Sequence, residues 1–95
     1  MTEQDKKDLM ALSIKTFGER SQTDQLHEEM GELMAKINQY RRGRVSINDV
    51  IEEIVDVKQC LDTIVYMFGI DPEEYNKIED QQWNKMKKQI EERLT

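Results

Sequence analysis

Apolar residues in the middle of this chain recur in alternating steps of four and three, and no other feature constrains its fold as strongly. Leu26, Met30, Leu33, Ile37 and Tyr40 form one such series, and Val50, Ile54, Val57, Leu61, Ile64 and Phe68 form another. At 3.6 residues per turn each series is one stripe along a helix, suited to packing against a second helix that runs nearly parallel or antiparallel to it. No stretch alternates apolar and polar residues as a half-buried strand would. The expected class is therefore all-α, an antiparallel helical hairpin or four-helix bundle.

Glycine, proline and capping residues divide the chain into four helices. A short first helix carries Met10, Ile14 and Phe17 and stops at Gly18. The second is expected to start near Ser21 or Thr23, whose hydroxyls can accept backbone N–H bonds, and to run to about Arg42 before Gly43. Ser46 with Asp49 three residues on predicts a capping box for the third helix, which ends at Gly69. Asp71 as N-cap, Pro72 at the first helical position and Glu74 as box partner predict the start of the fourth, whose stripe of Tyr75, Ile78, Met86, Ile90 and Leu94 is looser. Short connections make helices two, three and four antiparallel neighbours within a single domain spanning residues 1–95. Ile51, Val55 and Val65 give the third helix a second apolar flank, too much for one contact, so it belongs at the centre of the bundle or at a subunit interface.

Charged residues (36%) nearly equal apolar ones (37%), which leaves a thin core for so short a chain and makes completion by homo-oligomerisation, as a dimer or tetramer, the physical expectation. A net charge of −6 repels phosphate backbones and anionic lipid, so neither nucleic acid nor a membrane is the expected partner, whereas divalent cations are attracted. The local basic cluster of Arg41, Arg42 and Arg44 falls at a helix end, where it complements the dipole or meets phosphate. Cys60, the only cysteine, excludes an internal disulfide and reads as a small buried hydrophobe. With no apolar run of about 18 residues and no signal-peptide pattern, a cytoplasmic location is expected.

Against this background, four carboxylates stand out. Glu29 and Glu32 on the second helix, and Glu53 and Asp56 on the third, are each spaced i, i+3 and so share a helix face. Such pairs are common on solvated helices, and their position relative to the apolar stripes is what gives them weight. At roughly 100° per residue, Glu29 and Glu32 lie about 60° and 120° to one side of their stripe, and Glu53 and Asp56 repeat both offsets in the same sense. Antiparallel packing of the two stripes brings equal-handed offsets to the same side, so all four can converge. Four converging carboxylates repel one another unless a cation neutralises them, and an oxygen-only donor set suits Mg²⁺ or Mn²⁺. Mg²⁺ keeps waters and takes phosphate oxygens as further ligands, which makes phosphoryl chemistry natural at such a place. Glu28, nearer the outside of the helix, is either an exposed helix former or a group that orients an attacking water.

The string HEEMGEL, with Glu28, Glu29 and Glu32, followed by EEIVD, with Glu53 and Asp56, resembles the EExxE and ExxD elements of MazG-like, all-α nucleoside triphosphate pyrophosphohydrolases, with twenty residues between Glu32 and Glu53. The resemblance runs from about Phe17 to Arg93. It implies Mg²⁺-dependent hydrolysis of a nucleoside triphosphate to monophosphate and pyrophosphate, with Glu29, Glu32, Glu53 and Asp56 as metal ligands. It also implies basic residues on the last helix that meet the phosphates, for which Lys85 and Arg93 are the candidates beside their plainer role as helix formers near a C-terminus. Gln25, one turn before Glu29, faces either the ligand or solvent, and Trp83 either stacks on a base or packs. The rival reading is a non-catalytic acidic helical interaction module. A di-iron bundle lacks its Glu-x-x-His motifs, since His27 is the only histidine, and neither a Walker A nor a GxGxxG loop is present.

Overall fold

A computed structural model describes all of residues 1–95 as four α-helices: α1 (Glu3–Phe17), α2 (Glu19–Arg41), α3 (Ile47–Met67) and α4 (Pro72–Leu94). α2 and α3 form the body, an antiparallel hairpin against which α1 packs on both helices. No strand is present, so the all-α class and the hairpin are as the apolar spacing predicts.

Local chemistry accounts for most helix ends. The expected capping box of α3 is present, with Asp49 N–H donating to the Ser46 hydroxyl at 3.4 Å and Ser46 N–H donating to the Asp49 carboxylate at 3.0 Å. A second box, at Thr2 and Asp5, starts α1. After α2 the chain reverses at Gly43, whose φ of 70° is open to glycine at little cost. There Gly43 N–H reaches Tyr40 O and Arg44 N–H reaches Gln39 O, both at 2.9 Å, the paired bonds of a Schellman ending. That ending folds the short segment to Ser46 back on itself and sets α3 against α2.

Two helix starts differ from expectation. α2 begins at Glu19 and not near Ser21 or Thr23, because Gly18 alone, at φ 89° and ψ 165°, makes the turn out of α1. Thr23 Oγ1 consequently donates back to Arg20 O at 2.8 Å inside the helix and caps nothing. At α4 the cap is positional: Asp71 precedes Pro72, but the Asp71 side chain accepts no capping bond and the box with Glu74 does not form.

The larger correction concerns rotation. On α2, Leu26, Glu29, Leu33 and Lys36 are half-buried, as are Gln22, Thr23 and Gln39 toward its ends, while Met30, Ile37 and Tyr40 from the expected stripe are 47%, 40% and 46% exposed. On α3, Val50, Glu53, Val57, Cys60 and Ile64 turn inward, and Ile54, Leu61 and Phe68 turn out. Each helix is thus rolled by roughly 50° toward its carboxylates, half a residue step at 100° per residue. The roll carries Glu29 and Glu53 between the helices and turns part of each apolar stripe away from its partner.

Val50 is the only buried residue of the chain, and it keeps 6% of its surface. α4 makes no close backbone approach to any other helix, so one chain closes a three-helix unit and the bundle lacks its fourth member.

Candidate metal centre

The centre lies where the rolled helices meet. Glu29 from α2 and Glu53 and Asp56 from α3 each place a carboxylate oxygen within 4.8 Å of the other two. Short helix spacing explains the α3 pair, since residues three apart share a face. Glu29 joins them because the hairpin register sets it opposite Glu53. All three are half-buried, so their mutual repulsion is screened less than on an open surface.

Hydrogen bonding leaves the cluster unsatisfied. Gln25 Nε2 donates to Glu29 Oε1 at 2.9 Å along α2 and fixes one edge of that carboxylate. The other oxygen, Glu29 Oε2, and the facing Glu53 Oε2 are both cut off from solvent and have no donor. Buried polar atoms in folded proteins are nearly always paired, and either a shared proton or a cation could satisfy these two oxygens. No cation of the chain fills that role, because the three ion pairs, Lys6 with Glu3, Lys58 with Asp62 and Lys87 with Glu91, all lie along single helices in solvent.

Electrostatics agree with the geometry. The Glu53 carboxyl is raised above the usual carboxylate range, first by loss of hydration and next by the facing Glu29 carboxylate, with which it can share a proton. The negative charges of Glu32, Glu29 and Asp56 raise it further. Cys60, one turn beyond Asp56, has its thiol pushed up by burial and by the charges of Glu29 and Asp56, which favours its neutral form. Its nearness to the acidic cluster is not evident when it is read as a small hydrophobe, although its spacing of four from Asp56 and seven from Glu53 carries the signal.

Three of the four expected ligands are therefore together. Glu32 is exposed and outside the close group, yet near enough for its charge to act on Glu53. The register explains the difference: with Glu29 opposite Glu53, Glu32 lies one turn nearer the α2–α3 connection and Asp56 one turn farther from it. Glu28 is exposed beside Glu29 and stands one turn from Glu32 on the same face. Lys85 and Arg93 are exposed on α4, away from the hairpin of their own chain. Gln25, for which two orientations were open, bonds to the centre itself.

No family model, curated protein or solved structure matches this chain. No helix is long and apolar enough to cross a membrane.

Proposed function

We propose that the chain is a Mg²⁺-dependent nucleoside triphosphate pyrophosphohydrolase, converting a ribo- or deoxyribonucleoside triphosphate and water to the monophosphate and pyrophosphate. The observation that carries this reading is the set of Glu29, Glu53 and Asp56 oxygens within 4.8 Å, together with the two buried oxygens that have no donor. Three clustered anions are unfavourable alone and favourable around a small dication. Their all-oxygen character selects a hard cation, Mg²⁺ or Mn²⁺, over thiophilic metals. Bound there, Mg²⁺ would supply charge neutralisation for the polyphosphate and a more acidic water, its other positions being open to both.

The chain's own groups have separate tasks in this reading. Glu53 and Asp56 hold their positions through α3, Glu29 is held from behind by Gln25, and Glu32 stands ready as a further carboxylate at the edge. Glu28, solvent-facing beside Glu29, is the group to orient water and accept its proton. The water oxygen bonds to the α-phosphorus, the bond from that phosphorus to the α–β bridging oxygen breaks, and pyrophosphate leaves with the bridging oxygen. Lys85 and Arg93, on an α4 that stands apart from its own hairpin, enter the reading only across a subunit boundary.

A non-catalytic helical interaction module is the second reading, favoured by the apolar sides that α3 and α4 leave in solvent. It needs no metal. The deciding assay is pyrophosphate and monophosphate release from a panel of ribo- and deoxyribonucleoside triphosphates, in Mg²⁺ and in EDTA, with Glu53→Gln and Asp56→Asn beside the wild type. Metal-dependent release, lost in both variants at unchanged helical content, is expected. Silence across the panel without a thermal shift on adding Mg²⁺ would select the interaction module.

A further inference from the structure

α2 carries a cation whose surroundings differ from those of all the others. Lys36 is half-buried, and every other lysine and arginine of the chain is exposed. Lysine is seldom drawn out of water without a partner of opposite charge, yet none of the three ion pairs includes Lys36. Two carboxylates are placed to pair with it, and neither does. Glu32 stands four residues before it, the favourable order for an ion pair along a helix. Asp49 lies at the start of α3, facing this part of α2, but its carboxylate accepts from the Ser46 N–H at 3.0 Å and from the Ser46 hydroxyl at 3.1 Å.

Position on the helix sets where the ammonium goes. Lys36 follows Glu29 by seven residues, so at roughly 100° per residue it lies about 20° from Glu29 around α2 and about 40° from Glu32. It is therefore on the carboxylate side of the hairpin and not on the side that bears the exposed Met30 and Ile37. Along the axis the same seven residues amount to about 10 Å, in the direction of the α2–α3 connection. Long side chains on a helix lean toward its N-terminus, over the residues three and four earlier. The Lys36 stem thus runs back over Leu33 and Glu32 toward the centre, without pairing with any of its carboxylates.

A polyphosphate held at the carboxylates through one phosphate has further phosphates to place, and the hairpin offers two directions for them. Toward α1 the same face of α2 carries neutral Gln22, seven residues before Glu29, whose amide donates to the Ser13 hydroxyl at 3.2 Å. Toward the connection it carries Lys36, a compact positive charge with three donors. Partial loss of water strengthens that charge relative to the exposed lysines and arginines. Arg41, Arg42 and Arg44 lie at the same end and add longer-range attraction for an anion in a chain whose net charge is −6.

We propose that Lys36 is a substrate-binding residue that holds the terminal, leaving phosphates of the nucleotide, so that the triphosphate runs along α2 from the carboxylates toward the α2–α3 connection. This assignment rests on the pyrophosphohydrolase reading of the centre. It accounts for a half-buried ammonium that no carboxylate of the chain neutralises. It also supplies within one chain the phosphate contact for which Lys85 and Arg93 need a subunit boundary. When the bond from the α-phosphorus to the bridging oxygen breaks, the charge left on pyrophosphate develops on the side of Lys36, where a fixed cation stabilises it.

Lys36→Met keeps an apolar stem and removes the charge, whereas Lys36→Arg keeps the charge. Calorimetric titration of the full chain with magnesium pyrophosphate is expected to show Lys36→Met binding about 10- to 100-fold more weakly than the wild type, the contribution of one charged hydrogen bond. Lys36→Arg is expected to recover most of that loss. Mg²⁺ affinity without pyrophosphate is expected to be the same in all three proteins, which separates a lost phosphate contact from a damaged centre. With a nucleoside triphosphate as substrate, kcat/KM of Lys36→Met is expected to fall by at least the same factor. If the Lys36 stem only covers apolar surface, Lys36→Met binds pyrophosphate as the wild type does, and that result overturns the assignment. A wild type that binds no magnesium pyrophosphate overturns it as well. Pyrophosphate binding that depends on Lys36 in a protein that cleaves no nucleoside triphosphate supports the Lys36 contact and refutes the hydrolysis.

Discussion

Replacing Glu53 by glutamine should raise the melting temperature of the metal-free protein and nearly abolish the upward shift that Mg²⁺ produces. In the metal-free protein the substitution removes one of three like charges whose oxygens lie within 4.8 Å. It also places an amide donor opposite the orphaned Glu29 Oε2. The metal-free variant should therefore melt above the metal-free wild type. Mg²⁺ acts the other way. At 100 times its dissociation constant it stabilises the wild type by about 2.7 kcal/mol, which for a chain of 95 residues raises Tm by about 10–20 °C. Loss of a direct ligand should weaken the metal by at least the ~100-fold that outer partners can cost. The variant then sits near half-saturation at the same Mg²⁺ concentration, and its stabilisation falls to about 0.4 kcal/mol, or about 2–3 °C. The two melting curves should cross, with the variant higher in EDTA and the wild type higher in Mg²⁺. Differential scanning fluorimetry across a Mg²⁺ titration reads both effects. Equal Mg²⁺ shifts in the two proteins, or a variant that melts lower in EDTA, would refute the reasoning that these carboxylates are a strained cation site.

Two further outcomes test the same centre from different directions. The raised pKa of Glu53 means that the native state holds this proton to higher pH than the unfolded chain does, so stability of the metal-free protein should fall as pH rises from the ordinary glutamate value, 4.5, through the raised one. Chemical denaturation across that window in EDTA measures the slope, and a slope that persists unchanged in Glu53→Gln would assign it to some other group. Gln25→Ala frees the Oε1 edge of Glu29 that the 2.9 Å bond now holds and should weaken Mg²⁺ binding about 10-fold. Calorimetric titration that finds unaltered affinity would show Gln25 to be incidental.

Most of the element boundaries can be read in the residues because the physics that sets them is local. A hydroxyl three positions before an acid, as at Ser46 and Asp49, needs only its own turn of helix to form its bonds, and it forms them. The Gly43 and Gly69 endings are local in the same way, each closing through bonds to carbonyls at most five residues back. The misplaced start of α2 shows the limit of that logic. Ser21 and Thr23 are competent caps, but Gly18 reaches a backbone region closed to them, and the helix begins as soon as the turn is complete. Nothing in Thr23 itself announces that it will donate inside the helix and not cap it. The candidate ligands were also legible, because i, i+3 spacing places Glu53 and Asp56 on one face whatever the tertiary fold.

What apolar spacing does not specify is how far a helix is rolled about its axis when it has more than one apolar edge. On α2, Leu26 and Leu33 satisfy both the expected stripe and the observed one. The choice between bringing Glu29 or Met30 to the contact depends on what covers the edge that is left out. Desolvating Glu29 and Glu53 costs free energy, and leaving Met30, Ile54 and Leu61 in water costs free energy as well. A lone chain with this roll bears both penalties, which is a poor solution for a domain with a single buried residue. Both penalties vanish together if a cation sits among the carboxylates and a second copy lies on the opposite side. The roll thus ties the need for a cation on one side of the hairpin to the need for cover on the other. A metal-loaded monomer would still bear the apolar cost, and a metal-free dimer would still bear the repulsion at Glu53.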